Sequence, residues 1–253
     1  MRELLFSVRN LSKVFPNGYR ALSGLSLDIY RGECLLVAGS NGSGKTVLMR
    51  ILAALTDYSA GELLFRGRPL RDSVPLLRRS LGLVFQDAEA QLVGETVEED
   101  LRFGPENLKL PEEEISKRVE GVMETFGLGA KRDFPPRRLS GGEKRRLAAA
   151  GVLAMGCDIV IMDEPFANLD WPGVVRVLET LGELKKQDKT LIILTHELEK
   201  VLAFADRLII LDRGILRDEG RPGEVLDRLD PSWGVRDPRR SYRAVEDCNW
   251  LIP

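Results

Sequence analysis

The hydrophobic pattern of the chain predicts short strands separated by helical stretches. Near the N-terminus, Leu25, Leu27 and Ile29 alternate with polar neighbours, which is the period of a strand with one buried face. Further along, short apolar runs predict strands with little polar surface, at residues 34–38, 81–85, 159–162, 191–194 and 208–211. Strands that alternate with helices in this way indicate a mostly parallel sheet.

The middle of the chain has a different pattern. Between about residues 87 and 145 charged residues dominate and β-branched runs disappear. After Pro111, apolar side chains recur at helical spacing, at Ile115, Val119, Val122, Met123 and Phe126. We therefore expect a helical insertion over about 87–145, followed by a buried helix in the small apolar run 147–155.

Composition and charge narrow the possible partners. The 253 residues include 37 Lys plus Arg and 39 Asp plus Glu, for a net charge of −2. The chain has no net positive charge that would attract nucleic acid, so we expect no nucleic-acid partner. Three widely separated cysteines suggest neither a disulfide framework nor a zinc site. No apolar run approaches the roughly 20 residues that span a bilayer, so we expect a soluble chain that reaches a membrane through a partner.

Residues 39–46 carry the first candidate chemistry. They have the pattern G-x-x-x-x-G-K-T and join the predicted strand 34–38 to a predicted helix, which makes an ordinary glycine-rich turn the weaker interpretation. Glycines let backbone N–H groups surround a phosphate, and a helix N-terminus adds partial positive charge. Lys45 can reach the β- and γ-phosphates, and the Thr46 hydroxyl can bind Mg²⁺.

Two other predicted strands end in groups that suit the same site, because ligands of open α/β sheets lie beyond the carboxyl ends of the strands. Asp163 follows one apolar run and could hold Mg²⁺, and Glu164 beside it could activate a water as a general base. His196, the single histidine of the chain, follows another run, and we expect it to contact a γ-phosphate. In the alternative interpretation, Asp163 and Glu164 are charges at a strand end that face solvent, and His196 is an ordinary surface histidine.

Residues 139–143, Leu-Ser-Gly-Gly-Glu, open a predicted helix. Ser140 is a favourable N-cap, and Gly141 and Gly142 allow the backbone to approach an anion closely. The simplest interpretation is a helix cap. The alternative is a second phosphate-binding loop that has no lysine of its own.

Together these motifs resemble those of the ATP-binding cassette ATPases, the nucleotide-binding subunits of ABC transporters. The resemblance covers about residues 3–220. Residues 39–46 match the Walker A motif, residues 159–163 match Walker B, and residues 140–142 match the family signature. In that family two cassettes pair head to tail, and each ATP lies between Walker A of one chain and the signature of the other. The resemblance thereby explains a phosphate-binding loop without a lysine.

The resemblance also implies roles for single residues, of which Phe15 would stack on adenine unless it merely packs against a strand. The implied catalytic residues are Gln86 of the Q-loop, Asp163, the catalytic glutamate Glu164 and the switch histidine His196. The implied metal ligands are Thr46, Gln86 and Asp163. The implied nucleotide contacts are Phe15, Gly39, Ser40, Asn41, Gly42, Ser43, Gly44, Lys45, Thr46, Ser140, Gly141, Gly142 and Glu143. At Glu143 glutamine is the commonest residue of the family.

The fold that we expect is α/β. It is a P-loop NTPase (RecA-like) core with a mostly parallel sheet, an N-terminal antiparallel β-subdomain and an inserted helical subdomain. The ATPase domain should span 1–220, with its helical insertion at about 87–145, and residues 221–253 should form a C-terminal tail. That tail contains a basic cluster, interpreted as solvated or as a docking strap, at Arg236, Arg239, Arg240 and Arg243.

A closer resemblance links residues 86–108 and 150–155 to ATPases of the energy-coupling-factor group. These drive uptake of vitamins, cobalt or nickel, together with a transmembrane coupling protein and a small substrate-binding membrane protein. Coupling helices dock on the segment after the Q-loop, so its acids are candidates to receive arginines. A solvated acidic face is the alternative for most of these acids, which are Asp87, Glu89, Glu95, Glu98, Glu99 and Asp100.

The sequence therefore predicts an ATPase subunit that hydrolyses ATP to ADP and phosphate, with Mg²⁺, at the interface of two ATPase chains. It would lie peripherally on the cytoplasmic face of the membrane through its partner proteins. A homodimer and a pair with a related ATPase both stay open. The alternative from a different class is a soluble cassette ATPase that serves as an assembly or scaffold module.

Overall fold

The computed structural model describes residues 2–85, 89–167 and 169–239. Its strands are β1 (Leu4–Val14), β2 (Arg20–Tyr30), β3 (Cys34–Ala38), β4 (Ala60–Phe65), β5 (Arg68–Pro69), β6 (Leu81–Val84), β7 (Ile159–Asp163), β8 (Thr190–Leu194), β9 (Arg207–Asp212) and β10 (Ile215–Gly220). Its helices are α1 (Lys45–Leu52), α2 (Val74–Ser80), α3 (Val97–Asn107), α4 (Glu112–Phe126), α5 (Gly141–Ala154), α6 (Trp171–Lys186), α7 (Leu198–Val201) and α8 (Pro222–Asp227). Predicted functional positions outside the described residues are Gln86, Asp87, Arg240 and Arg243.

Within the described residues the strands form two sheets. An antiparallel sheet of the N-terminal part has the order β2-β1-β4-β5. The central sheet has the order β10-β9-β3-β8-β7-β6, and its neighbours pair in parallel except for the β9–β10 hairpin. This is the α/β architecture that the alternation of strands and helices predicted, with a mostly parallel P-loop NTPase core and an antiparallel β-subdomain.

Alternate residues of the central strands enter two different cores, because successive side chains of a strand point to opposite faces. Leu36 and Ile193 pack with the helices α3 to α6. Leu35, Ile161 and Ile192 pack instead with α1 and the antiparallel sheet. Both faces are covered, so β3, β7 and β8 are buried at every position. This explains why their sequences are continuous apolar runs.

The helices α3, α4 and α5 form the inserted helical subdomain between β6 and β7. α3 begins at a capping box, in which Glu99 N donates to Thr96 Oγ1 at 3.2 Å and Thr96 N donates to Glu99 Oε2 at 3.3 Å. α4 buries the apolar face that its spacing predicted, at Ile115, Val119, Met123 and Phe126. The domain limits 1–220 and 87–145 stay predictions.

The first part of the predicted tail packs against the domain. In α8, Val225 and Leu226 are buried in the core shared with α3 to α6, and Trp233 packs against the same core. Further on, the Arg239 guanidinium lies 2.6 Å from Asp227 Oδ1 and also pairs with Asp237. Arg239 is therefore engaged within its own chain, whereas a docking role for the rest of the basic cluster stays a prediction.

Candidate functional site

Three neighbouring strands bring the predicted site residues together. β8 lies between β3 and β7, and Leu194 of β8 is in register with both Val37 and Asp163. The glycine-rich loop follows β3, Glu164 follows β7, and His196 lies two residues beyond the end of β8. Because these strands are parallel, their carboxyl ends meet at one edge of the sheet, where ligands of open α/β sheets bind.

The loop 39–44 is an open cradle because its glycines adopt conformations that other residues rarely take. Gly44 has φ +106°, and a Cβ on it would lie 2.7 Å from the Ala21 carbonyl oxygen. Gly39 has φ +158°, and a Cβ there would lie 2.2 Å from the Leu211 carbonyl oxygen. Side chains at either position would displace backbone, so the shape of the cradle requires glycine. The cradle encloses a pocket of about 140 Å³.

Lys45 lies at the base of this cradle. Its Nζ donates to the carbonyl oxygens of Gly39 at 2.7 Å and Ser40 at 3.2 Å, and lies 3.8 Å from Glu164 Oε1. Burial lowers the pKa of the Lys45 ammonium, and the neighbouring carboxylates oppose that shift. The Ser43 hydroxyl is also buried and has no hydrogen-bond partner among the described residues. A buried cation and an unused donor in one cradle fit a phosphate chain.

Thr46 and Asp163 form an oxygen-rich corner of the same pocket. The Thr46 hydroxyl donates to Asp163 Oδ2 at 2.8 Å. Burial raises the pKa of the Asp163 carboxyl, and the hydrogen bond from Thr46 acts in the opposite direction. Oxygen donors without sulfur or imidazole suit Mg²⁺, which takes its remaining ligands from water and phosphate. Both residues therefore fit the metal role predicted for them, and Gln86, the third predicted ligand, lies outside the described residues.

Glu164 is a buried carboxylate in a strained backbone conformation. It is 5% exposed, and its φ of +48° lies in the left-handed region that residues other than glycine rarely occupy. Its Oε2 accepts from the Thr195 hydroxyl at 2.9 Å, and its Oε1 lies 2.9 Å from His196 Nδ1. Since an ionised carboxylate only accepts, this contact places a hydrogen on Nδ1 and leaves Nε2 free for another partner. The His196 side chain is 54% exposed and can meet a ligand.

Ser140 begins α5 in a second capping box. Glu143 N donates to Ser140 Oγ at 3.3 Å, and Ser140 N donates to Glu143 Oε2 at 2.9 Å. Lys131 Nζ donates to Glu143 Oε1 at 2.5 Å, and this bond together with the cap lowers the pKa of Glu143 to about 2. Both Glu143 oxygens are thus engaged within the chain. A direct contact of Glu143 with nucleotide stays a prediction.

Residues 140–142 are absent from the described lining of the pocket beside Lys45. Gly142 lies instead near the segment that precedes α6, since a Cβ on it would be 3.4 Å from Leu169 Cδ2. A helix N-terminus with a glycine-rich cap attracts anions. Here it is separate from the lysine-containing cradle of the same chain.

Tyr19 is a pocket residue that the sequence interpretation missed. Its ring centroid lies 6.2 Å from that of Phe15, with 17° between the ring planes, and its hydroxyl lies 3.4 Å from the Gly42 carbonyl oxygen. Tyr19 is among the described residues that line the pocket, and Phe15 is not. Lys13 Nζ lies 5.1 Å from the ring centroid of Phe15. The available signal was the Pro-Asn-Gly sequence at residues 16–18, which is typical of a turn. In the structure Gly18 N donates to the Phe15 carbonyl oxygen and Phe15 N to that of Tyr19, so the two aromatic residues are neighbours.

The acidic segment after β6 is largely engaged in contacts of its own chain. Asp100 is 9% exposed and accepts from Val93 N at 2.7 Å and Gly94 N at 2.9 Å. It is therefore a buried residue that holds the loop rather than a solvated acid. Glu99 caps α3, and the ion pairs of the segment are Glu89–Lys144 at 2.8 Å and Glu98–Arg132 at 3.0 Å.

Glu95 differs from these acids. It is exposed and has no ion pair in the described part of the chain. It lines a groove of about 600 Å³ that also contains Lys144 and residues 135–137. Among the predicted docking acids that the structure describes, Glu95 is thus the one available to another protein.

Known proteins are similar to this chain in sequence and in fold. The family model described as ABC transporter matches residues 22–167. A putative ABC transporter ATP-binding protein of Halobacterium salinarum is 42% identical over 234 residues, which are 92% of this chain and 100% of that protein. The energy-coupling factor transporter ATP-binding protein EcfA of Methanosarcina acetivorans is 42% identical over 227 residues, with 89% and 82% covered. EcfA2 of Methanospirillum hungatei is 39% identical, and this chain spans 57% of its length.

Solved structures of ATP-binding cassette proteins are also similar to this chain. CbiO1 of Clostridium perfringens, described as part of the ABC transporter complex CbiONQ, superimposes with a TM-score of 0.80 at 37% identity, covering 89% of this chain and 91% of CbiO1. A dimeric ATP-binding cassette in a post-hydrolysis state with bound ADP and Pi has a TM-score of 0.77 at 26% identity, with 86% and 99% covered. The chain therefore belongs to the ABC transporter family, in which it is an ATP-binding ATPase subunit.

Proposed function

We propose that the chain is the ATP-hydrolysing subunit of an importer of the energy-coupling-factor type and that it works in a pair of ATPase subunits. The cargo would be a metal ion such as cobalt or nickel, or a vitamin. The names of the relatives EcfA and CbiO1 support the type of transporter. The observation that carries the catalytic part is the meeting of Lys45, Asp163 and Glu164 at the carboxyl edge of the central sheet, where β8 lies between β3 and β7.

ATP would bind with its phosphates in the cradle formed by residues 39–46. The Lys45 ammonium, already dehydrated by burial, would neutralise charge that develops on the γ-phosphate. Thr46 and Asp163 would hold Mg²⁺, which supplies further charge neutralisation at the phosphate oxygens when bound. Phe15, with Tyr19 beside it, would offer an aromatic surface to the adenine.

Glu164 would accept a proton from the water that attacks the γ-phosphate. Its burial among donors keeps the carboxylate in one place, which favours proton transfer in a defined geometry. His196 would hold the γ-phosphate through Nε2, because Nδ1 is engaged by Glu164. Gln86 would join the site from the Q-loop.

The second half of each site would come from the other chain of the pair. Ser140, Gly141 and Gly142 form the N-terminus of α5, whose backbone N–H groups and partial positive charge attract phosphate. These residues are absent from the described lining of their own chain's pocket. A head-to-tail pair would let them cover the γ-phosphate bound by the partner.

The route to the membrane would be through partner proteins on its cytoplasmic face. Among the helices that the structure describes, none combines the length and apolar character needed to cross a membrane. We propose that a transmembrane coupling protein docks in the groove beside Glu95 and that an arginine of that protein meets this carboxylate.

The partner proteins are tested by isolating a tagged copy of the chain from its own membranes. A multi-span coupling protein and a small substrate-binding membrane protein should co-purify with it. Recovery of soluble partners alone would favour the assembly or scaffold ATPase instead.

The catalytic proposal is tested by Glu164→Gln. Glutamine keeps the shape of the side chain but cannot take up the proton, so turnover should fall by roughly 10²–10⁴-fold while ATP binding is retained. Phosphate release and the Kd for ATP should be measured on the same preparation. Glu199→Gln, at an exposed acid on α7, is the matched control and should behave as wild type. Near-normal turnover in Glu164→Gln would remove Glu164 from this role.

A further inference from the structure

We infer that Thr195 is a positioning residue for the water-activating carboxylate of Glu164, an inference that rests on the proposed function of Glu164. Thr195 follows β8 and is fully buried, with 0% exposure. Its hydroxyl donates to Glu164 Oε2 at 2.9 Å. Thr195 itself lies behind the carboxylate and is absent from the described lining of the ATP pocket.

A second hydrogen bond fixes the direction in which the Thr195 hydroxyl donates. Glu197 N donates to Thr195 Oγ1 at 3.0 Å, which occupies an acceptor site of the hydroxyl oxygen. A threonine hydroxyl has a single hydrogen, and an N–H group cannot accept it. That hydrogen is therefore directed to Glu164, which receives a fixed donor rather than a rotating one.

The main chain holds both partners in register. Thr195 N donates to the Val37 carbonyl oxygen at 3.1 Å, and Glu164 N donates to the Leu194 carbonyl oxygen at 2.8 Å. The backbone of Glu164 has a φ of +48°, an unusual conformation that the surrounding structure holds in place. The remaining freedom of the carboxylate is the rotation of its side chain, and this is the freedom that the Thr195 hydroxyl restricts.

The hydrogen bonds that the Thr195 hydroxyl and the His196 ring make to Glu164 differ in their exposure to solvent. The His196 ring is mostly exposed, so its bond to Oε1 can exchange for a bond to water. The Thr195 bond to Oε2 is buried, where a hydrogen bond is stronger than in water. Oε2 also accepts from His196 N, at the longer distance of 3.4 Å. Thr195 thus supplies the shorter bond to this oxygen, and we expect it to keep Glu164 aligned with the attacking water.

Thr195→Val removes the hydroxyl and preserves the shape of the side chain. Without its buried donor the carboxylate can rotate away from the water, and a displacement of about 1 Å costs on the order of 100-fold in rate. We therefore expect kcat to fall by about 10-fold to 100-fold, with KM and the Kd for ATP near the wild-type values, because the cradle around Lys45 is unchanged. Thr195→Ser keeps the donor and should retain most of kcat.

Thr190→Val is the matched control. Thr190 lies at the other end of β8, is also 0% exposed, and accepts a hydrogen bond from Gly32 N at 3.0 Å. The same chemical change is thus made at an equally buried threonine, at the end of β8 that is remote from the site. It should lower the melting temperature without lowering kcat. An equal loss of kcat in Thr190→Val would overturn the inference, because general destabilisation would then explain both variants.

Wild-type kcat in folded Thr195→Val would also overturn the inference. Should that variant fail to fold, Thr195→Cys replaces it, since a thiol is a weak donor and should lower kcat where Thr195→Ser does not. The same assay on Glu164→Gln separates the two proposals. If Glu164→Gln turns over normally, the proposed role of Glu164 fails. If Glu164→Gln is inactive and Thr195→Val is normal, only the positioning role of Thr195 fails.

Discussion

At the scale of single residues, the site is built from charged groups that are buried beside one another. Lys45, Asp163 and Glu164 each have less than a tenth of their surface exposed. A buried charge is costly when it is alone, so each of these groups depends on the others and on hydrogen-bonding neighbours. The sequence pointed to these residues because the motifs place Lys45 in the loop after β3 and the two acids at the end of β7. It could not show that Thr195 bonds Glu164 or that Tyr19 lines the pocket, because these contacts cross between segments.

Glu143 offers a residue-scale test, since its oxygens bond Lys131 and Ser140 rather than the pocket. Glu143→Gln keeps a side chain that can form a capping box but removes the ion pair. We expect nearly unchanged ATP turnover and a free energy of unfolding lower by about 0.2–1 kcal/mol at neutral pH. A large loss of turnover with unchanged ATP-independent stability would show that Glu143 contacts the nucleotide after all.

The stabilising contribution of Glu143 should depend on pH in one direction. Its pKa in the folded chain is about 2, below the ordinary glutamate value of about 4.3. The contribution is therefore complete above the ordinary value and disappears as pH falls toward about 2. Urea unfolding of wild type and Glu143→Gln should differ most near neutral pH, and the difference should shrink as the pH falls from about 4.3 toward about 2. Glu124→Gln, at an exposed acid of α4, controls for the change in net charge.

At the scale of elements, the buried strands were the most predictable part of the fold. β3, β7 and β8 are covered on both faces, and continuous burial leaves a continuous apolar run in the sequence. The helix α2 was not predicted, because a seven-residue element with two arginines has too little apolar periodicity. The helix α8 was assigned to a tail for the same reason, since it buries only Val225 and Leu226.

The element-scale prediction concerns the loop between β6 and α3. Glu95→Lys reverses the charge of the available acid and should reduce recovery of the transmembrane coupling protein with the tagged chain. ATP hydrolysis by the isolated chain should be unchanged, because Glu95 lies outside the lining of the nucleotide pocket. Glu113→Lys, the same reversal at an exposed acid of α4, is the control. Unchanged recovery with Glu95→Lys would contradict docking at this groove.

At the scale of the whole molecule, the chain holds two elements that we propose bind phosphate, and the second is absent from the described lining of the pocket beside the first. One is the cradle around Lys45, and the other is the N-terminus of α5 at Ser140. If each ATP needs both, two chains must meet head to tail. The activity of this protein is then a property of the pair, and each chain contributes half of each site.

Mixing two inactive variants tests this pairing. Lys45→Ala removes the cation of the cradle, and Ser140→Arg blocks the glycine-rich helix N-terminus, so each variant alone should be inactive. An equal mixture should recover about one quarter of wild-type turnover, because about half of the pairs would be mixed and each mixed pair has one intact site. Phosphate release by the mixture is the measurement. No recovery would contradict sites shared between two copies of this chain.

The sequence by itself determined which groups are candidates for the chemistry and on which kind of element they lie. This was possible because glycine-rich turns, helix caps and doubly buried strands are local features with a fixed residue pattern. Only the tertiary structure decided which hydrogen-bond donors contact the carboxylate oxygens of the site. Glu164 lies far from Thr195 in the sequence, and the parallel pairing of β7 with β8 is what places them 2.9 Å apart. Such pairings depend on the packing of the whole sheet, and no local pattern contains them.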